Sequence, residues 1–182
     1  MKRLLIVLLS LTMLLGGCAK APLTRTELES LPLEVSQYEF LTDENPNFIE
    51  TSLYEVWKLI DEKGTGVVFL GYPTCYWCNR AIPAMNQAAK DNDYMVYYVN
   101  IMNYIQKEDI DGLTERIKSI LVEEDGEYPI YVPLVLAIKD GEIMGSHVAL
   151  VSSYDETKQD NLNDEQFKEL TKIYDKLINS IR

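Results

Sequence analysis

An α/β fold, with a mixed central sheet flanked by helices, is what this 182-residue chain predicts, and three observations predict it. Residues 66–72 form a continuous apolar run rich in Val and Phe between Gly64 and Pro73, the pattern of a strand buried on both faces. Segments on either side carry apolar residues three and four apart, Leu53, Val56, Trp57 and Ile60 in one and Ile82, Met85 and Ala89 in the other, which is the period of a helix with one buried stripe. Asp140-Gly141, set between two extended runs, is the strongest short signal of a hairpin.

In chain order, residues 1–17 have the layout of an export signal: Lys2 and Arg3, an apolar stretch over 4–15, then Gly16-Gly17 before Cys18. The stretch is well short of the roughly 20 residues that a spanning helix needs, so it reads as a cleavable segment. Leu15-Gly16-Gly17-Cys18 resembles the bacterial lipoprotein signal, which implies a lipid-modified Cys18. An ordinary secreted chain and an uncleaved anchor are the alternatives, and all three place the remainder outside the cytoplasm. Residues 18–37, polar and holding Pro22 and Pro32, suit a tether to a folded body over 38–182.

Within that body, residues 38–41 are expected as a short strand and 47–63 as a helix ended by Gly64, with Trp57 in the core. The strand at 66–72 leads into a helix over 78–90, and 94–101 and 110–122 follow as strand and helix. After the turn-prone Asp125-Gly126 come a strand at 134–139, the Asp140-Gly141 turn, its partner at 142–150, and a closing helix over 163–181 bearing Phe167, Leu170, Ile173, Tyr174 and Leu177.

A 47% hydrophobic composition at this length supports one sizeable core. With 29 acidic against 17 basic side chains, a formal charge of −12, and no Lys/Arg stripe, nucleic acid is excluded as a partner, since backbone phosphates attract basic faces. Loss of residues 1–17 removes two basic residues and no acidic one, leaving the chain more acidic still.

If Cys18 is lipidated, Cys75 and Cys78 pair only with each other or with a partner protein. Two cysteines so close in sequence restrict the unfolded chain little, because that stabilisation grows with loop length, so the pair points to chemistry rather than stapling. A structural zinc site needs four ligands, and the chain offers one histidine and no second cysteine pair. At a helix start, the dipole and free N–H groups favour a thiolate at Cys75, the form that attacks disulfides, while Cys78 lies one turn deeper, placed to resolve a mixed disulfide. The chemistry needs no cofactor.

The sequence here resembles thioredoxin. Pro83 stands five residues after Cys78, where thioredoxins kink their active-site helix, and Val132-Pro133 followed by residues 134–142 is similar to the thioredoxin cis-proline, strand and hairpin turn, with the same spacing of eight from proline to glycine. The resemblance covers residues 38–182 and implies a thioredoxin-like three-layer sandwich, a cis Pro133 facing Cys75, and a Val132 backbone that pairs with an extended substrate. An ordinary trans proline is the alternative, as only about 5% of X-Pro bonds in folded proteins are cis.

Departures from the pattern are informative. Phe69 stands where thioredoxin has a buried acid and Tyr98 about where it has a lysine, so no carboxylate is evident to take the Cys78 proton; Gly71 and Ala149 replace a tryptophan and a glycine. Between the cysteines, Tyr76 and Trp77 supply no cation, which leaves thiolate stabilisation to the helix end, with Arg80 as a second candidate. Tyr76 and Trp77 offer either an apolar platform for a partner or packing against loops. His147 reads as a surface or packing residue. Residues 71–78 are most similar to thioredoxin-like accessory proteins of Gram-positive bacteria, some linked to bacteriocin export.

The expected function is an extracytoplasmic thiol-disulfide oxidoreductase, lipid-anchored to the membrane, acting on exported proteins or peptides. Run as a reductase it needs electrons from a membrane redox partner, and run as an oxidase it needs one that restores its disulfide. The alternative is a non-catalytic module of the same fold that holds an exported peptide.

Overall fold

The computed structural model describes residues 34–104, 106–157 and 160–182. The expected export signal, the Cys18 modification and the tether up to residue 33 lie outside the described residues.

Five strands, β1 (Phe48–Glu50), β2 (Gly66–Gly71), β3 (Val96–Asn100), β4 (Leu134–Lys139) and β5 (Glu142–Val148), form one sheet in the order β1-β3-β2-β4-β5. β3 runs parallel to both β1 and β2, whereas β4 runs antiparallel to β2 and to β5, so the sheet is mixed. Among the described residues, four helices flank it: α1 (Leu53–Asp61), α2 (Tyr76–Asp91), α3 (Lys107–Ile117) and α4 (Asp164–Ser180). The α/β sandwich expected from the sequence is present.

Every residue of β2 is buried, and its side chains alternate between two cores, as a period of two requires. Val67 and Phe69 face α2 and α4, meeting Ile82, Met85, Leu170 and Tyr174. Val68 and Leu70 face α1 and α3, meeting Leu53, Val56, Leu113 and Ile117. The sheet thus separates two layers, and the end of β2 opens directly into the chain before α2. At the hairpin, Asp140 and Gly141 both take positive φ, 52° and 81°, which the Asp-Gly pair tolerates. A Cβ on Gly141 would also lie 2.4 Å from the Ile60 carbonyl oxygen, so this turn demands glycine.

Four expectations are corrected. Residues 38–41 form a turn, not a strand, and Tyr38 and Leu41 enter the core as single side chains. The helix expected over 47–63 divides: Phe48–Glu50 pairs with Val96–Tyr98 as the edge strand, and the helix starts only after Ser52, whose side chain accepts the Glu55 N–H at 3.1 Å. The helix expected over 110–122 runs from Lys107 to Ile117 and passes into a 3-10 turn at Lys118–Ile120. Glu34–Gln37, assigned to the tether by its polarity, forms a 3-10 turn with Val35 fully buried, so the folded body reaches further toward the N-terminus than residue 38.

Candidate functional site

β2 ends at Gly71, and four residues later the chain reaches Cys75, which caps α2. Cys75 has extended backbone angles, φ −76° and ψ 121°, and its Sγ accepts the Cys78 N–H at 3.2 Å. The sulfur therefore takes the place an Asp or Ser oxygen usually holds at a helix start, where orphan N–H groups favour negative charge. Asn79 fixes the approach: its amide donates to the Cys75 carbonyl at 3.1 Å and to the Pro73 carbonyl, and its Oδ1 accepts the Glu39 N–H at 2.8 Å. Sequence reading passed over Asn79; its signal was a short amide one turn after the first cysteine.

Both cysteines are free thiols. Cys75 is 6% exposed and Cys78 fully buried, so only the first offers a sulfur to a partner. The Cys75 pKa is lowered to about 7, chiefly by the Cys78 thiol donating to it, with burial opposing and the backbone N–H groups of Cys78 and Trp77 assisting. Cys78 is pushed well above the ordinary thiol value, first by that same hydrogen bond and then by burial. One member of the pair thereby ionises readily and the other is held as the thiol.

Across from the pair, the Val132-Pro133 bond is cis, and the Cys75 Sγ lies 4.0 Å from the Val132 carbonyl oxygen. Pro83 sits inside α2, which continues past it to Asp91. Phe69 lies beneath the site, stacked on Tyr98 with ring centroids 6.3 Å apart.

No family model matches the chain, and no curated protein does. Among solved structures, the chain is similar to a thioredoxin from Aeropyrum pernix at 21% identity, over 54% of this chain and 73% of that one, with a TM-score of 0.38. It is similar also to the oxidised thioredoxin of Plasmodium falciparum at 18% identity, over 71% of this chain and 98% of that one, with a TM-score of 0.39. A thioredoxin of Arabidopsis thaliana gives 19% identity, 68% and 99% coverage, and a TM-score of 0.37. What decides the architecture is the chain's own sheet order, with the cysteine pair at the start of the helix after β2 and a cis proline opening β4.

The fold is thioredoxin-like.

In this thioredoxin-like frame the remaining candidates sort by contact. Arg80 does not reach Cys75. Its Nη1 donates to the Tyr76 carbonyl at 2.8 Å, its Nε to the Tyr154 hydroxyl at 3.0 Å and to the Asp160 carbonyl, and its guanidinium lies 3.4 Å from the Tyr76 ring centre. The expected role of Arg80 in stabilising the thiolate is therefore corrected: no Arg80 charge is among the causes of the Cys75 shift. Tyr76 is exposed but its hydroxyl is 2.8 Å from that of Tyr154, and Trp77 packs edge-on to Tyr154 with centroids 5.6 Å apart. These two residues form one aromatic cluster that borders the cysteines. His147 packs edge-on against Tyr174 at 5.7 Å. Among the described residues no cluster of His, Cys, Asp and Glu is arranged to hold a metal ion, and no helix is long and apolar enough to cross a membrane.

Proposed function

We propose that this chain is an extracytoplasmic thiol-disulfide oxidoreductase in which Cys75 attacks and Cys78 resolves. The observation that carries the reading is Cys75 as helix cap, its Sγ on the Cys78 N–H and its pKa lowered to about 7. The thiolate attacks one sulfur of a substrate disulfide; a Cys75 mixed disulfide forms, and the other substrate sulfur leaves as a thiolate. Cys78 then attacks Cys75, closing the Cys75–Cys78 disulfide and releasing the second substrate thiol, so the substrate is reduced by two electrons and the protein oxidised by two. The reverse sequence delivers the disulfide to a dithiol. Val132, beside the sulfur and followed by Pro133, offers the backbone against which an extended substrate lies, and Tyr76 and Trp77 supply the apolar border.

The Met1–Cys18 pattern supports the compartment: a lipid on Cys18 holds the domain at the outer face of a bacterial membrane, where exported proteins or peptides are the substrates and a membrane redox partner resets the pair. The test is a Cys78→Ser variant of the full chain in bacterial cells. Disulfide-linked adducts on Cys75 that disappear with Cys75→Ser support exchange chemistry. Their absence, with partner binding unchanged, replaces the enzyme with a binding module.

A further inference from the structure

Cys78 must shed a proton before it can attack, and it is enclosed by groups that do not take one. Among the described residues, the Cys75 thiol and the Tyr38, Tyr72 and Tyr174 phenols are electrostatically coupled to Cys78. Phe69 on β2 lies in the same core as Cys78. A Cβ built on Gly71 would lie 3.1 Å from the Cys78 Sγ, 3.1 Å from the Tyr38 hydroxyl and 2.7 Å from the Phe69 Cε1, so the sulfur and the hydroxyl approach the same point over the bare Cα of Gly71, where no side chain fits. The Tyr38 hydroxyl is in turn 3.3 Å from the Tyr98 hydroxyl, both residues are buried, and the two rings meet edge-on at 5.9 Å.

We propose that the Tyr38 hydroxyl, held beside Tyr98, turns to donate a hydrogen bond to the Cys78 sulfur as it becomes a thiolate, across the bare Cα of Gly71. The proposal rests on the exchange reaction argued above. Burial foremost, then the charge of Tyr98 and the hydrogen bond with it, and then the cysteine charges, keep Tyr38 far above the ordinary phenol value. It is therefore always a donor and never the base, and the Cys78 proton leaves finally with the released substrate thiol. A hydrogen bond to a charged group in a buried setting is worth more than one in water, and the Tyr98 hydroxyl 3.3 Å away keeps the Tyr38 hydroxyl in place. The phenol thus acts by holding the product of deprotonation rather than by accepting the proton.

The experiment is stopped-flow reaction of the full reduced chain with 5,5′-dithiobis(2-nitrobenzoate), comparing wild type with Tyr38→Phe from pH 6 to 9. Attack by Cys75 releases one nitrothiobenzoate and leaves the other on Cys75; attack by Cys78 closes the disulfide and releases the second. With Tyr38→Phe we expect the first phase unchanged and the second slowed on the order of tenfold at pH 7, its pH profile moved upward. Tyr98→Phe, which leaves the Tyr38 hydroxyl without its backing, slows the second phase less and in the same direction, and carries the test should Tyr38→Phe not fold. A second phase identical to wild type in rate and pH profile in both variants overturns the proposal and leaves the exchange reading intact. Absence of a second phase in wild type itself removes the resolving role of Cys78 and this proposal with it.

Discussion

Cys75 accepts the backbone N–H of Cys78 at 3.2 Å and also the Cys78 thiol proton, so one residue both caps the helix and draws on its partner's hydrogen. The consequence is a separation of roles within a pair only three positions apart. The Cys75 pKa falls from 9.0 to about 7, while Cys78 moves the other way and stays protonated.

The first prediction concerns alkylation. At pH 7 about half of Cys75 is thiolate, against about 1% for a thiol of pKa 9.0, a gain of about fiftyfold. A less basic thiolate is a weaker nucleophile, and a Brønsted slope of about 0.4–0.5 over two pH units gives back about eightfold. Iodoacetamide should therefore modify Cys75 about sixfold faster than such a thiol at pH 7, with a midpoint near pH 7, while buried Cys78 stays unmodified in the folded chain. Mass spectrometry of the two sites against pH checks both, and a Cys75 midpoint near 9 would refute the assignment.

Asn79→Ala removes three hydrogen bonds at once and leaves the Glu39 N–H and the Pro73 carbonyl without their partner. Both groups are partly open to water, so the cost is that of ordinary hydrogen bonds, and urea unfolding should show a loss of about 1 kcal/mol. The loop that sets Cys75 at the helix start loosens too, and the alkylation midpoint rises toward the ordinary thiol value.

Arg80→Met tests the separation of the arginine from the thiolate. The side chain is buried against Tyr76 and Tyr154, so its loss removes the bonds to the Tyr154 hydroxyl and the Tyr76 carbonyl and should destabilise the chain by about 1–2 kcal/mol in urea. Because the Arg80 guanidinium is turned to Tyr76 and Tyr154, the pH midpoint of Cys75 alkylation should not move. A shift upward by half a pH unit or more would restore the electrostatic role.

What the sequence made legible follows from range. β2 announced itself through an unbroken buried run, the closing helix through its apolar stripe, and the hairpin through the positive-φ demands of Asp140 and Gly141. The cysteine pair was visible because its chemistry lies within four residues. β1 was not, since three residues are too few to show alternation and its burial comes from pairing with β3. Residues 38–41 were misread for a related reason: Tyr38 is buried not by a strand but by a hydroxyl contact with Tyr98, sixty positions away. The Arg80–Tyr154 contact spans seventy-four positions, and no local pattern reports that the arginine turns from the cysteines toward a tyrosine.

Gly71→Ala is the sharpest single change at the site. Its new methyl would lie 2.7 Å from the Phe69 Cε1 and 3.1 Å from both the Cys78 Sγ and the Tyr38 hydroxyl. The Phe69 ring cannot simply yield, because it is wedged between Phe48 and Tyr98 at centroid distances of 6.3 Å to each. Overpacking of this kind costs about 1–3 kcal/mol, to be read as a lower urea midpoint with unchanged slope. The same methyl occupies the space between sulfur and hydroxyl, so closure of the Cys75–Cys78 disulfide should slow even in molecules that remain folded, while the initial attack by Cys75, which faces Val132 on the other side, keeps its rate. Stopped-flow release of nitrothiobenzoate at low urea separates the two effects, and equal slowing of both phases would show that the substitution disturbs the whole helix start rather than the space beneath Cys78.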